Sequence, residues 1–146
     1  MKSTTSARPQ AVSRTANFSL ILLEVLVAVG AVFGGVGLIA NNAIGMLPEW
    51  LEGTPFTSWT VPGLLLLLVI ALPMAVAAIA ESLYLRWAFA TSVLAGVAQL
   101  SWIVAQWLIM QRYFFLQPVM FVAGVGVLAL ALVAHRGESL RDSWHA

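Results

Sequence analysis

The chain has 146 residues, 61% of them apolar and only 9% charged, with seven Lys/Arg against six Asp/Glu and no Cys. A soluble domain carries about 25% charged residues to coat its surface. This composition therefore excludes a water-soluble globule, a disordered chain, a nucleic-acid binder and a disulfide scaffold, and leaves an integral membrane protein whose first partner is the lipid bilayer.

Residues 1–16, rich in Ser, Thr and Arg, read as a solvated tail with no core to join. A helix needs ~20 mostly apolar residues to cross a hydrocarbon core of about 30 Å. The first such run covers residues 18–40 and is broken by one charge, Glu24. It is too long for the apolar region of a secretory signal, and no small-x-small cleavage site follows, so it reads as a retained helix. Residues 41–61 form the one long connection. Three further runs follow: 62–80 with Pro73 inside it, 83–110 with Arg86 near its start, and 114–134 with Pro118 in its first turns. Gly137 is expected to end the last span, and residues 137–146 to form a polar tail. No run alternates as a barrel strand would. The predicted fold is all-α: a polytopic transmembrane four-helix bundle over residues 17–136 with an interfacial outer loop.

Basic residues orient the bundle. Lys2, Arg8, Arg14, Arg86, Arg136 and Arg141 fall on one side of the four spans, and Arg112 alone on the other. The connection between spans one and two holds Glu49 and Glu52 and no Lys or Arg. Both termini are therefore expected in the cytoplasm of a bacterial-type cell, with the chain multi-pass in the inner membrane. Glu49 and Glu52 read as ordinary solvated carboxylates.

The outer connection, NNAIGMLPEWLEGTPFTSWTV, is too apolar to float in water. Trp50, Trp59 and Phe56 suit the bilayer boundary, where an apolar ring body meets lipid and an indole N–H finds a partner. An interfacial segment across the top of the bundle is the plain expectation, and a lid over a cavity formed by Trp50, Phe56 and Trp59 is the functional alternative. Thr60 or its neighbour is expected to cap the next helix, with Pro62 in its first turn. The order Gly34-Gly35, Leu47-Pro48, Leu51, Thr54-Pro55-Phe56, Pro62-Gly63-Leu64, followed by Gly96, Leu100, Trp102-Ile103, Gln106 and Gly124, resembles a group of small four-span bacterial membrane proteins whose role is not established. The layout also looks loosely like that of the DoxX-like proteins. Neither resemblance implies a catalytic residue.

Glu24 is the sharpest candidate for chemistry. A carboxylate inside a span is costly, so it pairs, takes up a proton or faces the bundle interior. Arg86, which enters span three from the same side, is its expected partner in a packing ion pair. The alternative is a proton- or cation-coupled site. The small multidrug-resistance transporters also place a Glu in the first of four spans, but their layout lacks this long outer loop. Gln99, Trp102 and Gln106, spaced by three and four residues, share one helical face that Ser92 and Ala95 extend. That face is either interhelical glue or the wall of a polar cavity. Trp87 and Trp107 read as interfacial or packing aromatics, and the glycines of spans one and four, from Gly30-x-x-x-Gly34 onward, as close-packing positions.

The remaining inventory carries little enzymology. His135 and His145 lie at or beyond the end of span four, which leaves no transmembrane His pair for haem and no His/Cys cluster for zinc. No thiol is present for redox work, and no Ser/His/Asp set is expected at one membrane depth. The sequence therefore predicts no cofactor, no metal and no enzymatic activity. Two functions remain. One is a structural or accessory subunit acting by helix packing, as a homo-oligomer or in a larger membrane complex. The other is a small proton-coupled transporter, or a binder of lipid or another hydrophobic ligand, using Glu24, Arg86, Gln99, Trp102 and Gln106.

Overall fold

The apolar runs become helices in the computed structural model, which describes residues 7–42 and 44–142. Helix α1 runs over Ala7–Ile39. The second span is α2 (Thr60–Leu66), a π-helical turn (Leu67–Ala71) and α3 (Leu72–Ser82) in continuous succession. Helix α4 covers Ala88–Met110 and α5 covers Leu116–Asp142. Four stretches, Ser13–Ile39, Thr60–Ser82, Ala88–Met110 and Leu116–Arg136, are long and apolar enough to cross a membrane. Their outward faces carry Phe18, Leu26, Phe33, Leu68, Leu94, Leu108 and Val122, all well exposed, as helices bathed in lipid would.

Each break in the helices has a local cause. Asn41 and Asn42 end α1 in the left-handed region, at φ 52° and 55°, a conformation short amide side chains tolerate. The Asn42 side chain then closes the next turn: its Nδ2 donates to the Met46 carbonyl at 2.6 Å and its Oδ1 accepts from the Met46 N–H at 2.9 Å. The π turn precedes Pro73, which has no N–H to donate and whose ring would crowd the carbonyl four residues back. Widening the turn, with the Leu72 N–H reaching Leu67 O, takes up the misfit. Tyr84 at φ 52° turns the chain between α3 and α4, and Gln111 at φ 48° ends α4.

The helices form a ring in which α1 packs on α2–α3 and α5, while α4 packs on α3 and α5. Both described chain ends lie at one end of this ring, and the 41–59 connection lies at the other. They are called here the termini end and the loop end. Close helix approach rests on two glycine pairs. A Cβ on Gly63 would fall 2.8 Å from the Gly35 carbonyl, and one on Gly35 3.0 Å from the Gly63 carbonyl. Gly96 and Gly124 lie against Leu128 and Leu100 across the α4–α5 seam. Gly30, by contrast, faces open space.

Several expected boundaries differ. Helix α1 begins within the stretch expected to be a tail, and that stretch does join the core: Ala16 is buried, and the Ser13 hydroxyl donates to the Ala134 carbonyl at 3.0 Å. Helix α5 continues through Gly137, because one flexible residue does not end a helix when no partner fixes a left-handed turn there. Span three starts at Ala88 rather than Leu83, since the Tyr84 turn consumes the intervening residues. Thr60 opens α2, its neighbour Trp59 is the cap residue and Pro62 sits in the first turn, as expected, although no side-chain cap bond forms. Residues 1–6 and 143–146, which include Lys2 and His145, lie outside the described residues.

Candidate functional site

The loop does not lie flat across the bundle. Leu51 and Trp59 are buried with Leu38 of α1, and Met46, Trp50, Phe56, Leu66 and Met110 pack around them. Trp50 meets the Phe114 ring edge-on at 5.7 Å, which ties the loop to the start of α5. Thr54 holds the local turn, donating to Leu51 O at 2.7 Å and accepting from the Phe56 N–H at 3.3 Å. The segment expected to be interfacial is thus a cap on the loop end, with Trp50, Phe56 and Trp59 turned into it. Glu49 and Glu52 are exposed on its outer side.

Beneath the cap lies a chamber of two adjoining lobes. The upper lobe, about 130 Å³, is lined by Trp50, Phe56, Trp59, Trp102 and Gln106, with Arg112 among its lining residues. The lower lobe, about 170 Å³, reaches from Met46 and Gln106 down past Gln99 to Gly30, Ala31 and Val27. Leu38, Leu66, Trp102, Gln106, Phe114 and Gln117 line both lobes. The face predicted from the spacing of Gln99, Trp102 and Gln106 therefore forms a cavity wall. Gln117 and Phe114 belong to the wall as well, and the sequence reading had not singled them out.

Two polar atoms at this chamber are unspent. Gln99 is buried, and its Nε2 donates to Met120 O at 2.8 Å, yet its Oε1 has no hydrogen-bond partner. The Trp59 indole Nε1 is likewise buried without a partner. A buried polar group left unpaired costs about 1–3 kcal/mol. One acceptor on the lower lobe and one donor on the upper-lobe residue Trp59 are what an apolar molecule with a small polar group would satisfy.

The second polar feature is deeper and nearer the termini end. Glu24 lies about 16 Å along α1 from Ser13 at 1.5 Å per residue. It is fully buried, and neither of its carboxylate oxygens has a hydrogen-bond partner. The expected ion pair with Arg86 does not form. Arg86 sits exposed on the Tyr84 turn, outside the helix that would have carried it inward. The polar side chains within electrostatic reach of Glu24 are instead Ser92, Glu81 and His135. Glu81 of α3 is buried, and its Oε1 accepts from the Ser92 hydroxyl at 3.0 Å and lies 2.9 Å from His135 Nε2. Its Oε2 lies 3.2 Å from the same nitrogen. The His135 ring also packs against Phe89 at 5.2 Å.

The sequence predicts no Ser/His/Asp set at one depth, yet the structure brings a serine, a histidine and two glutamates together there. The hydroxyl and the imidazole both bind Glu81 rather than each other, so the arrangement is not the nucleophile–base–orienter relay of a hydrolase. Trp87 and Trp107 are exposed, so neither packs in the core. No protein-family model, no curated protein and no solved structure matches the chain.

Proposed function

We propose that this chain is a non-enzymatic, multi-pass protein of a bacterial inner membrane that binds a small apolar molecule drawn from the bilayer in the capped chamber at its loop end. The observation that carries this reading is the unpaired, buried Oε1 of Gln99, a residue of the lower lobe's mostly apolar wall, beneath an aromatic cap. A bundle built only for helix packing gains nothing from a void and an orphan acceptor at one place. Ligand sites typically combine an apolar, aromatic wall with a few fixed polar groups. The lobes of about 130 and 170 Å³ compare with the ~150 Å³ apolar cavity that accepts a benzene ring. The ligand class is accordingly a slender chain or ring bearing a hydroxyl or similar donor for Gln99, with a carbonyl-type acceptor suited to Trp59.

The basic side chains favour cytoplasmic termini. Arg14, Arg86 and Arg136 are exposed at the termini end, against Arg112 at the loop end. The cap would then face the outside, and the ligand would enter from the outer leaflet or the outer water phase.

The test is purification from native membranes followed by mass spectrometry of retained small molecules. Wild-type protein should hold a hydroxyl-bearing apolar species that is depleted in Gly30→Leu, which fills the lower lobe, and in Gln99→Leu, which removes the acceptor. Identical lipid profiles for wild type and Gly30→Leu would sink the reading.

A further inference from the structure

We propose that Glu24, Glu81, Ser92 and His135 form a proton-binding site inside the bundle, open to the termini end through His135. Four helices contribute one side chain each, so the grouping is a product of the tertiary fold rather than of local sequence. The Glu81, Ser92 and Glu24 side chains are almost wholly shielded, whereas the His135 side chain keeps 19% of its surface accessible. His135 is thus the contact between water and the interior of the cluster.

Charge counting inside a dry volume defines the ligand. Glu81 pairs with His135 through the 2.9 Å contact, and that pair is neutral overall when the imidazole is protonated. Glu24 adds a second carboxyl with no basic partner and both oxygens unbonded. Two carboxylates and one imidazolium leave one negative charge uncompensated, and an isolated charge in low dielectric is far costlier than a neutral acid. One further cation must therefore complete the site. Among the described residues no three His, Cys, Asp or Glu converge as metal ligands. The charged groups nearby, Arg14 of α1, Arg86 of the α3–α4 turn and Arg136 of α5, are exposed at the bundle surface. A proton needs no coordination shell and is the cation that fits.

The bonds already present give a route. The His135 Nε2–H can pass its proton to Glu81, and the Ser92 hydroxyl, which donates to Glu81 Oε1, carries it onward by rotating to accept from Glu81 and donate to Glu24, which lies within its reach. Each transfer onto Glu81, Ser92 or Glu24 breaks one N–H or O–H bond and forms one O–H bond, and the imidazole recovers its N–H bond from water. The net event is one proton taken from water at the termini end and held on Glu24. Beyond Glu24, Val27 lies one helical turn further along α1 and lines the floor of the lower lobe. Placing a neutral acid there keeps an unbalanced charge away from the apolar chamber.

The experiment uses full-length protein in lipid vesicles, with no added ligand, so its outcome is independent of the chamber reading. Infrared difference spectra across a pH series, in H2O and D2O, report the stretch of protonated carboxyl groups. Wild type should show one such band per chain at neutral pH, and Glu24→Gln, of nearly equal shape, should lose it. His135→Phe removes the one imidazolium, so a second carboxyl band, from Glu81, should join the first, and H/D exchange of the Glu24 band from the water phase should slow several-fold. Ser92→Ala, which retains every carboxyl, removes the hydroxyl between Glu81 and Glu24 and should keep the band while slowing its exchange several-fold. Absence of the band from folded wild type, persistence in Glu24→Gln, or equal exchange in wild type and His135→Phe would each overturn the proposal.

Discussion

Glu24 and Glu81 are both buried acids of one cluster, but stability depends on them in opposite directions. Glu81 accepts from Ser92 and contacts His135 through both its oxygens. Replacing it with Leu strands both partners. Breaking a buried charged pair costs about 3–5 kcal/mol, and the accessible edge of His135 reduces this, so Glu81→Leu should destabilise the protein by about 2–4 kcal/mol. Glu24 has no hydrogen bond to lose, and Leu nearly matches its volume. Glu24→Leu should therefore leave stability unchanged or raise it by about 1–3 kcal/mol, the usual cost of a buried unsatisfied group. Unfolding midpoints in one detergent, for both variants beside wild type, check the sign. Glu24 was legible in the sequence because it is the lone charge in its apolar run. Glu81 was not, because two residues after it the span ends in a turn that water could reach. The signal was present in its spacing, since Ile70, Met74, Ala77 and Glu81 follow one another at four, three and four residues and all are buried. His135 similarly falls four residues after buried Ala131 and eight after buried Val127.

At the scale of elements, apolar run length located the spans well, because a bilayer-length helix needs an unbroken run and little else does. Helix ends were less legible. Whether polar residues continue a helix depends on a neighbour, as Ser13 shows by bonding to Ala134 O on α5. Glycine roles were the least readable, since spacing alone does not say which face meets a backbone. Gly63 and Gly35 face each other's carbonyls, while Gly30 faces the chamber. Gly63→Ala should thus cost about 1–3 kcal/mol through forced separation of α1 and α2. Gly30→Ala should be neutral or stabilising by up to about 1 kcal/mol, because Ala is the better helix former. Thermal unfolding of the two variants decides between this assignment and a packing role for the Gly30-x-x-x-Gly34 pair. The cap gives a third expectation. Trp50→Ala removes the ring contact with Phe114, so amide hydrogen exchange should quicken across residues 46–59 while α4 stays protected. Equal exchange in both proteins would mean that the buried Trp59 and Leu51 hold the cap unaided.

For the whole molecule, scarce charge is what made the architecture legible, and the same scarcity concealed the interior. A chain with few charges must place them where water or a partner accepts them, so the exposed arginines divide between the two ends and, among the described residues, the interior holds only the Glu81–His135 pair and Glu24. Which charges are interior depends on how four helices face one another, and periodicity within one helix does not supply that. The division between ends gives a prediction of topology. Because the chain has no Cys, single cysteines can be introduced without background. Glu52→Cys lies in the exposed part of the cap, and Arg86→Cys on the exposed turn at the opposite end. The excess of basic residues at the termini end predicts that end to be cytoplasmic. A membrane-impermeant maleimide applied to spheroplasts should label Glu52→Cys and spare Arg86→Cys, while lysed membranes should label both. Labelling of Arg86→Cys from outside in intact spheroplasts would invert the topology. The chamber mouth and the His135 contact would then exchange compartments, leaving the geometry of both sites unchanged.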